Sequence, residues 1–477
     1  MILRMTLSLL AILILPTACG GDSGSDTKAD AAVIAPDADA TPDAAGSTDA
    51  ALAPDGAAAD DMRAVTEPAS WVTEPNRTVR NMHMTWQRDP ATTMTLQWAT
   101  NDIDLTTYVP RVWAVPTAMV TGTAEAPIMP WASRFVTEGE GKIYREALAG
   151  FETGEIDFVI WTVELTGLVP DTEYTYRVGT WEEFDAKTGE FKSPDLTDAR
   201  TFKTGITKGE RKPFEMVMAG DSRGGMEEIR ANIHHINDND ARLWVFNGDM
   251  TNGGAQVEWD DWQDAMSPVL TSRVLMPVHG NHEIFANIFY EQYALPQEPG
   301  LPEDLVEHAW SLDFANVHLV GLDSNVEARI KDQIDWLDAD LAAARKDPDI
   351  DWIFVMMHHG VYSASNHGST MTVQEHWVPI FERHNVDLVF SGHDHNYERT
   401  HPLRGDKVVE PKDGIVYVVA GGFFSPGYGN GNEWWTATST HGDVRNYVRV
   451  GVAEKTVKVT AYSGDSTQVI DTFELKH

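Results

Sequence analysis

Five short segments of the chain carry residue types that bind metal ions in proteins. They read Gly220-Asp221-Ser-Arg-Gly224, Gly248-Asp249-Met-Thr-Asn252, Gly280-Asn281-His282-Glu283, Val355-Met-Met-His358 and Gly392-His393-Asp-His395. Each follows an apolar run of strand length, and glycine allows the sharp turn that aims a short side chain inward. Carboxylate, amide oxygen and imidazole together suit iron, manganese or zinc. The segments therefore predict a metal site formed by loops.

The candidate ligands are numerous enough for two metal ions. A carboxylate that bridges two ions about 3.5–4 Å apart lets them activate a water molecule and hold the oxygens of a phosphate group. We predict that Asp249 is this bridge. Taken singly, each Asp or Asn could equally be a turn residue, and each His a hydrogen-bonded core residue. Five such segments at the ends of five predicted strands favour the metal site.

Alternating strands and helices predict an α/β domain of packed sheets over residues 213–477. A helix is predicted over Gln333–Leu341. Strands are predicted at Phe214–Ala219, Leu243–Phe246, Val274–Val278, Val317–Leu322, Trp352–Met357, Val386–Phe390 and Ile415–Ala420. Because ligands collect where the strands of an open α/β sheet end, the five segments are expected to converge.

An all-β sandwich is predicted over residues 76–205, joined to the second domain by a short polar linker. Met82–Trp86 and Met94–Trp98 show the alternation typical of strands, and so do Phe158–Leu165 and Tyr174–Val178. Leu168–Tyr174 predicts a corner at which the tyrosine ring is buried and its hydroxyl meets nearby backbone. The segment resembles a fibronectin type III domain.

The first 19 residues predict a signal peptide of the lipoprotein type, with Cys19 lipidated. Arg4 precedes an apolar run, Met5–Leu15, that is too short to span a bilayer. Ordinary cleavage nearby, with Cys19 incidental, is the alternative. The predicted location is outside the cytoplasm: outer membrane or cell surface, periplasmic or extracellular. Lipid on Cys19 is the one predicted membrane contact.

Residues 20–70, rich in Ala and Asp, predict a disordered tether. The net charge of -37 argues against binding nucleic acid by charge alone. Cys19 is the single cysteine of 477 residues, so no disulfide forms within the chain. The composition gives no prediction for the oligomeric state.

The order of the five segments resembles that of the purple acid phosphatases, within the calcineurin-like metallophosphoesterases. Val386–Thr400 is a close match, and Trp310–Phe314 and Ser324 add to it. Larger members of that family also carry an N-terminal sandwich. The resemblance implies one metal held by Asp221, Asp249 and His395, and a second held by Asp249, Asn281, His358 and His393.

The resemblance also implies roles for residues that do not bind metal. His282 would donate a proton to the leaving oxygen or bind phosphate. Glu283 would orient His282 or lie on the surface, and His367 would contact the substrate. Arg223 has a planar fork that suits phosphate.

Two positions depart from the family pattern. Asn252 stands where the family has the tyrosine ligand that makes ferric iron purple, so it is a weaker, neutral candidate ligand. Arg223 stands where the family usually has glycine, and arginine does not ligate metals. The metals are therefore predicted only as two divalent or trivalent ions: iron, zinc or manganese.

The predicted function is hydrolysis of small phosphomonoesters by a hydroxide held on the metals. The alternatives are a phosphodiesterase or nucleotidase on the same scaffold, or a non-catalytic surface lipoprotein that contains metal and binds a partner through its sandwich.

Overall fold

The computed structural model describes residues 77–477, apart from residues 102, 106–107, 125–126, 130–134, 148–154, 182, 186–189, 193–196 and 284–287. The predicted signal peptide with Cys19 and the predicted tether lie outside the described residues. No helix within the described ranges combines the length and the hydropathy needed to cross a membrane.

The first part of the described chain consists of β-strands. In chain order they are β1 (Arg80–Thr85), β2 (Thr93–Thr100), β3 (Val109–Pro116), β4 (Thr121–Gly122), β5 (Pro127–Ile128), β6 (Phe135–Glu138), β7 (Glu140–Ala147), β8 (Glu155–Thr166), β9 (Glu173–Trp181), β10 (Glu183–Asp185), β11 (Glu190–Lys192) and β12 (Arg200–Lys203). One antiparallel sheet has the order β1-β2-β8-β7 and the other β12-β9-β3-β6. Two small hairpins, β4-β5 and β10-β11, complete this part. The predicted β-rich class is confirmed.

The predicted tyrosine corner is present. Tyr174 is fully buried, and its hydroxyl accepts a hydrogen bond of 2.9 Å from the main-chain N–H of Val169. Its ring stacks on Phe202, with centroids 5.5 Å apart. The corner thus fastens the turn before β9 to the core between the sheets.

The second part alternates strands with helices. Its elements are β13 (Phe214–Ala219), α1 (Met226–Ile236), β14 (Ala241–Phe246), α2 (Gln256–Ala265), α3 (Ser267–Leu270), β15 (Val274–Pro277), α4 (Ile288–Gln292), β16 (Trp310–Phe314), β17 (Val317–Gly321), α5 (Glu327–Asp332), α6 (Ile334–Ala344), β18 (Trp352–Met356), α7 (Met371–His376), α8 (Val378–Arg383), β19 (Leu388–Ser391), β20 (Tyr397–Thr400), β21 (Val416–Ala420), β22 (Thr436–Thr440), β23 (Asn446–Val452), β24 (Thr456–Ser463) and β25 (Val469–Lys476). Single 3-10 turns occur at Thr117–Met119, Glu303–Leu305 and Pro411–Asp413.

These strands form two mixed sheets. The six-stranded sheet has the order β15-β14-β13-β23-β24-β25, and the seven-stranded sheet has the order β16-β17-β18-β19-β21-β20-β22. Strands β13, β14 and β15 are mutually parallel, as are β17, β18, β19 and β21. Three of the predicted metal-binding segments follow β13, β14 and β15, and the other two follow β18 and β19. All five therefore lie at carboxyl ends of parallel strands, and the predicted α/β class is confirmed.

Strand β18 shows why the parallel strands appear in the sequence as continuous apolar runs. Phe354 and Met356 pack in the core shared with the six-stranded sheet, whereas Ile353 and Val355 pack under the helices that cover the other face. Successive side chains point to opposite faces of a sheet, and here both faces are buried. No polar position remains to mark one face as exposed.

The two parts of the chain are in direct contact. The hydroxyl of Tyr176, in the β-rich part, donates to the carbonyl of Thr271 at 2.8 Å. Arg80 on β1 forms an ion pair with Asp260 on α2. The sandwich therefore packs on the elements between β14 and β15, the two strands that precede the second and third segments.

His318 on β17 lies between two carboxylates, away from the predicted metal site. Its Nδ1 is 2.7 Å from Asp313 Oδ1 and its Nε2 is 2.8 Å from Asp340 Oδ2. Burial alone would lower the pKa of His318, but hydrogen bonds to these carboxylates raise it to about 9. The charged imidazolium therefore stabilises this sheet over much of the physiological pH range.

We expect replacement of His318 by Gln to cost more stability at pH 6 than at pH 9.5. The pKa of His318 is higher in the folded than in the unfolded chain. The charged side chain therefore stabilises the fold fully below about pH 6.5, and this stabilisation is lost as the pH rises through about 9. At pH 6 the free energy of unfolding of the variant should be lower than that of the wild type by on the order of 2 kcal/mol. Thermal midpoints of both proteins across this range give the measurement. His234→Gln, on the exposed side of α1, is the control, and an equal loss at both pH values would contradict the assignment.

Candidate metal centre

Three of the predicted ligands lie in the left-handed region of backbone conformation. The φ angles are 62° for Asp221, 56° for Asp249 and 69° for His393. Residues with a Cβ rarely adopt this region and persist there only when their surroundings hold them. The main-chain N–H of Asp221 donates to the carbonyl of Gly248 at 3.0 Å, and that of Ser222 donates to the carbonyl of Asp249 at 2.9 Å. The first two segments thus hold each other in the strained form.

Two glycines allow the loops to touch. A Cβ on Gly392 would lie 2.2 Å from Asp221 Oδ2, and one on Gly280 would lie 2.3 Å from Asp249 Oδ1. Neither distance is compatible with a side chain. The fifth segment therefore contacts the first, and the third contacts the second, through positions that require glycine.

Four predicted ligands meet around one point. His358 Nε2 is 2.7 Å from Asn281 Oδ1 and 3.3 Å from Asp249 Oδ1. His393 Nδ1 is 3.0 Å from the same amide oxygen and 3.2 Å from His358 Nε2. All four side chains are buried. This is the set implied for the second metal.

A second set shares one member with the first. Donor atoms of Asp221, Asp249 and His395 all lie within 4.8 Å of one another, with His395 Nε2 3.6 Å from Asp221 Oδ1. Asp249 belongs to both sets, which is the position a bridging carboxylate needs.

Comparison with known proteins agrees with this arrangement. The sequence matches the calcineurin-like phosphoesterase family over residues 216–397 and the purple acid phosphatase N-terminal domain over residues 79–204. The chain is a calcineurin-like phosphoesterase of the purple acid phosphatase type. By that homology it is a metal-dependent phosphoester hydrolase.

Individual proteins resemble this phosphoesterase in sequence or in fold over half of the chain or more. An uncharacterized protein of Mycobacterium tuberculosis is 28% identical over 402 residues, which cover 72% of this chain and 69% of that protein. Purple acid phosphatase 22 of Arabidopsis thaliana is 29% identical over 251 residues, covering 50% of this chain and 52% of its own length. A purple acid phosphatase from seeds of yellow lupin, Lupinus luteus, shares the fold with a TM-score of 0.66 at 17% identity, covering 84% of this chain and 74% of its own.

Main-chain carbonyls orient two of the histidines in this phosphoesterase. His358 Nδ1 donates to the carbonyl of Asn247 at 2.7 Å, and His395 Nδ1 donates to that of Pro426 at 2.6 Å. Each bond leaves Nε2 facing the carboxylates. Such outer contacts commonly fix the tautomer of a metal-binding histidine.

The electrostatics of the phosphoesterase centre favour bound cations. Burial alone would raise the pKa of Asp249, but His358 and the neighbouring His282 and Arg223 hold it below its usual range. Burial alone would lower the pKa of His358, but the Asp249 and Asp221 carboxylates raise it to about 10. Asp249 Oδ2 is buried without a hydrogen bond. Buried carboxylates of this kind need positive charge, so the residues present fit metal ions.

The three predicted catalytic residues lie around this centre. His282 Nδ1 donates to the carbonyl of Asn252 at 2.6 Å, which leaves Nε2 3.9 Å from Asp249 Oδ2. Arg223 is buried, with Nε 3.7 Å from the same oxygen. His367 is exposed at the mouth, and its ring centroid is 4.2 Å from that of His393.

Two predictions need correction. The Asn252 side chain is exposed, whereas the other candidate ligands are buried, so its carbonyl rather than its amide serves the site. The surface alternative for Glu283 is wrong, since its side chain is fully buried. The Glu283 carboxylate accepts hydrogen bonds from the main-chain N–H groups of Asp249, Thr251 and Gly280, at 2.8, 3.0 and 2.9 Å. It therefore ties the second segment to the third.

Sequence reasoning missed the contribution of Tyr428. Its ring lies parallel to that of His395, with centroids 4.0 Å apart, and its hydroxyl accepts from Arg223 Nη2 at 3.1 Å. The surrounding glycines predicted only a loop near the site. An aromatic residue between two glycines was the one available signal.

A second cluster of metal-binding residue types lies beside the third segment. Donor atoms of His279, His308 and Asp323 are within 4.8 Å of one another. The hydroxyl of Tyr290 is 2.9 Å from His279 Nδ1 and 2.7 Å from His308 Nδ1, and Arg329 donates to Asp323 Oδ2 at 2.9 Å. Because a guanidinium already neutralises the carboxylate, the cluster is a hydrogen-bond network that supports the loop rather than a cation site.

We expect Gly392→Ala to remove metal from the phosphoesterase while the fold persists. The new methyl group would overlap Asp221 Oδ2 and push the first and fifth segments apart, at a cost of about 1–3 kcal/mol. Bound metal per chain and the thermal midpoint give the measurements. Gly253→Ala is the matched control, because its Cβ would meet nothing nearer than 3.7 Å. Full metal content in Gly392→Ala would show that the contact is unimportant.

We expect Glu283→Gln to lower both stability and metal content. The amide has one acceptor oxygen instead of two and turns an N–H group toward main-chain donors, which costs about 1–3 kcal/mol. Glu258→Gln makes the same change in a carboxylate that accepts from Gly253 and Ala255 farther from the ligands. Denaturant unfolding and metal analysis of both variants compare the two sites. Equal behaviour of the two variants would contradict a special role for Glu283.

Proposed function

We propose that this phosphoesterase hydrolyses phosphomonoesters with two metal ions held at the centre described above. The observation that carries the proposal is that Asp249 belongs to both sets of donors, so that one carboxylate would serve two ions. Asp221 and His395 would complete one set, and Asn281, His358 and His393 the other. When bound, the ions would polarise the phosphoryl oxygens and activate the attacking water.

The side chains around the centre suit the remaining steps. The water forms a new P–O bond and loses a proton, while the ester P–O bond breaks and the leaving oxygen gains one. His282 Nε2 faces the centre and is the proposed donor of that second proton. Arg223 is buried next to Asp249 and would neutralise charge that develops on the phosphoryl group. His367, at the mouth, would contact the bound ester.

We expect Asp249→Asn to abolish turnover and to lower bound metal from two ions per chain. Removing the shared negative charge weakens both sets at once, whereas His367→Ala should keep both ions and lose only part of the activity. Metal analysis and hydrolysis of p-nitrophenyl phosphate by the purified full chain provide the readings. Metal-loaded protein without turnover on any phosphoester, unchanged by Asp249→Asn, would favour the non-catalytic binding role. Faster hydrolysis of bis-p-nitrophenyl phosphate would favour the diesterase.

The proposed location rests on the sequence alone. Arg4, the apolar run before Pro16 and the single cysteine, Cys19, support export with a lipid on Cys19. Incorporation of labelled palmitate into the full chain, compared with Cys19→Ser, tests this. Equal labelling, or none in either protein, would remove the anchor from the proposal.

A further inference from the structure

Tyr428 and His395 are held together as one unit at the mouth of the centre. The Tyr428 ring lies parallel to the imidazole, inclined by 8° with centroids 4.0 Å apart. The main-chain N–H of Tyr428 donates to the carbonyl of His395 at 3.1 Å, and Pro426 in the same loop accepts from His395 Nδ1 at 2.6 Å. The loop that follows β21 therefore fixes the Tyr428 ring relative to a predicted metal ligand.

Arg223 connects the Tyr428 hydroxyl to the shared carboxylate. Its Nη2 donates to the hydroxyl at 3.1 Å, while its Nε is 3.7 Å from Asp249 Oδ2. The guanidinium is 4% exposed, so solvent screens it little. Because an arginine N–H group donates to the phenol oxygen, the phenol proton points to a different acceptor.

On the other side of Tyr428 lies His367. The two rings meet edge to face, with centroids 5.1 Å apart, and the His367 ring also packs on His393. A guanidinium, a phenol and an imidazole thus surround the opening above the two donor sets. These are hydrogen-bond donors of the kind that bind phosphoryl oxygens.

We propose that Tyr428 is a substrate-binding residue whose hydroxyl donates a hydrogen bond to a non-bridging phosphoryl oxygen, oriented for this by Arg223. The inference rests on the proposed phosphatase function and deepens it. The competing role is metal ligation in place of the tyrosine that position 252 lacks. Arg223 disfavours that role, because it places positive charge on the oxygen that a cation would need.

The test compares Tyr428→Phe with the wild type as metal-loaded enzymes. The substitution removes the hydroxyl and keeps the ring on His395, so metal content and thermal midpoint should not change. We expect kcat/KM for p-nitrophenyl phosphate to fall by about tenfold to a hundredfold, as a lost hydrogen bond to a charged group predicts. The inhibition constant for inorganic phosphate should rise by a similar factor. Tyr462→Phe, on β24 where the ring stacks on Tyr447, is the matched control.

Each other outcome decides against the inference. Unchanged kcat/KM and unchanged phosphate inhibition would show that the hydroxyl does not meet the substrate. Loss of a metal ion, or of a visible absorption band, in Tyr428→Phe would show metal ligation instead. If the wild type has no turnover, the proposed function fails separately, and calorimetric binding of inorganic phosphate to both metal-loaded proteins still tests Tyr428. Equal affinities in that experiment would overturn the inference.

Discussion

The main-chain N–H of His393 donates to both oxygens of the Asp221 carboxylate, at 2.9 and 3.0 Å, and the rest of the centre depends on this contact. It joins the end of β19 in one sheet to the end of β13 in the other. His358 makes a second link, since its Nδ1 donates to the carbonyl of Asn247 at 2.7 Å. Neither sheet alone supplies a full set of donors. The packing of the two sheets therefore sets the geometry of the metal centre.

This arrangement requires unfavourable backbone conformations and the burial of two neighbouring carboxylates. Asp221, Asp249 and His393 adopt conformations that residues with a side chain usually avoid. Two carboxylates lie close together in the interior, and burial raises the pKa of Asp221. Metal ions would offset the repulsion between these carboxylates. The backbone strain and the buried charge both result from placing donor atoms for these ions.

The sequence was sufficient to predict the elements that carry the centre. Strand β13 has the predicted bounds, and β14, β15, β17, β18 and β21 differ from prediction by one or two residues at an end. These strands are apolar on both faces, so the apolar runs in the sequence are a strong signal for them. The strands β23, β24 and β25 were not predicted. They complete the six-stranded sheet with ordinary alternation that carries no motif.

What the sequence could not give was contact between residues far apart in the chain. Glu283 was ambiguous because its three main-chain partners lie on two different loops. Tyr428 stood in a glycine-rich stretch whose path over His395 depends on tertiary packing. Asn252 occupies a ligand position by alignment of motifs, yet its side chain is exposed. In each case the residue type indicated a role near the site, but the sequence did not show where the side chain points.

The separation along the chain of the residues that join the two sheets has a consequence for how the protein matures. Asp221 and His393 are 172 residues apart, so they meet only after the chain has been made as far as the fifth segment and the two sheets have packed together. A metal ion has no high-affinity site to enter on the nascent or unfolded chain, because donors from both sheets are needed. Loading would therefore be a late event. The ions that enter the centre would be those available at the time and place at which the two sheets pack together.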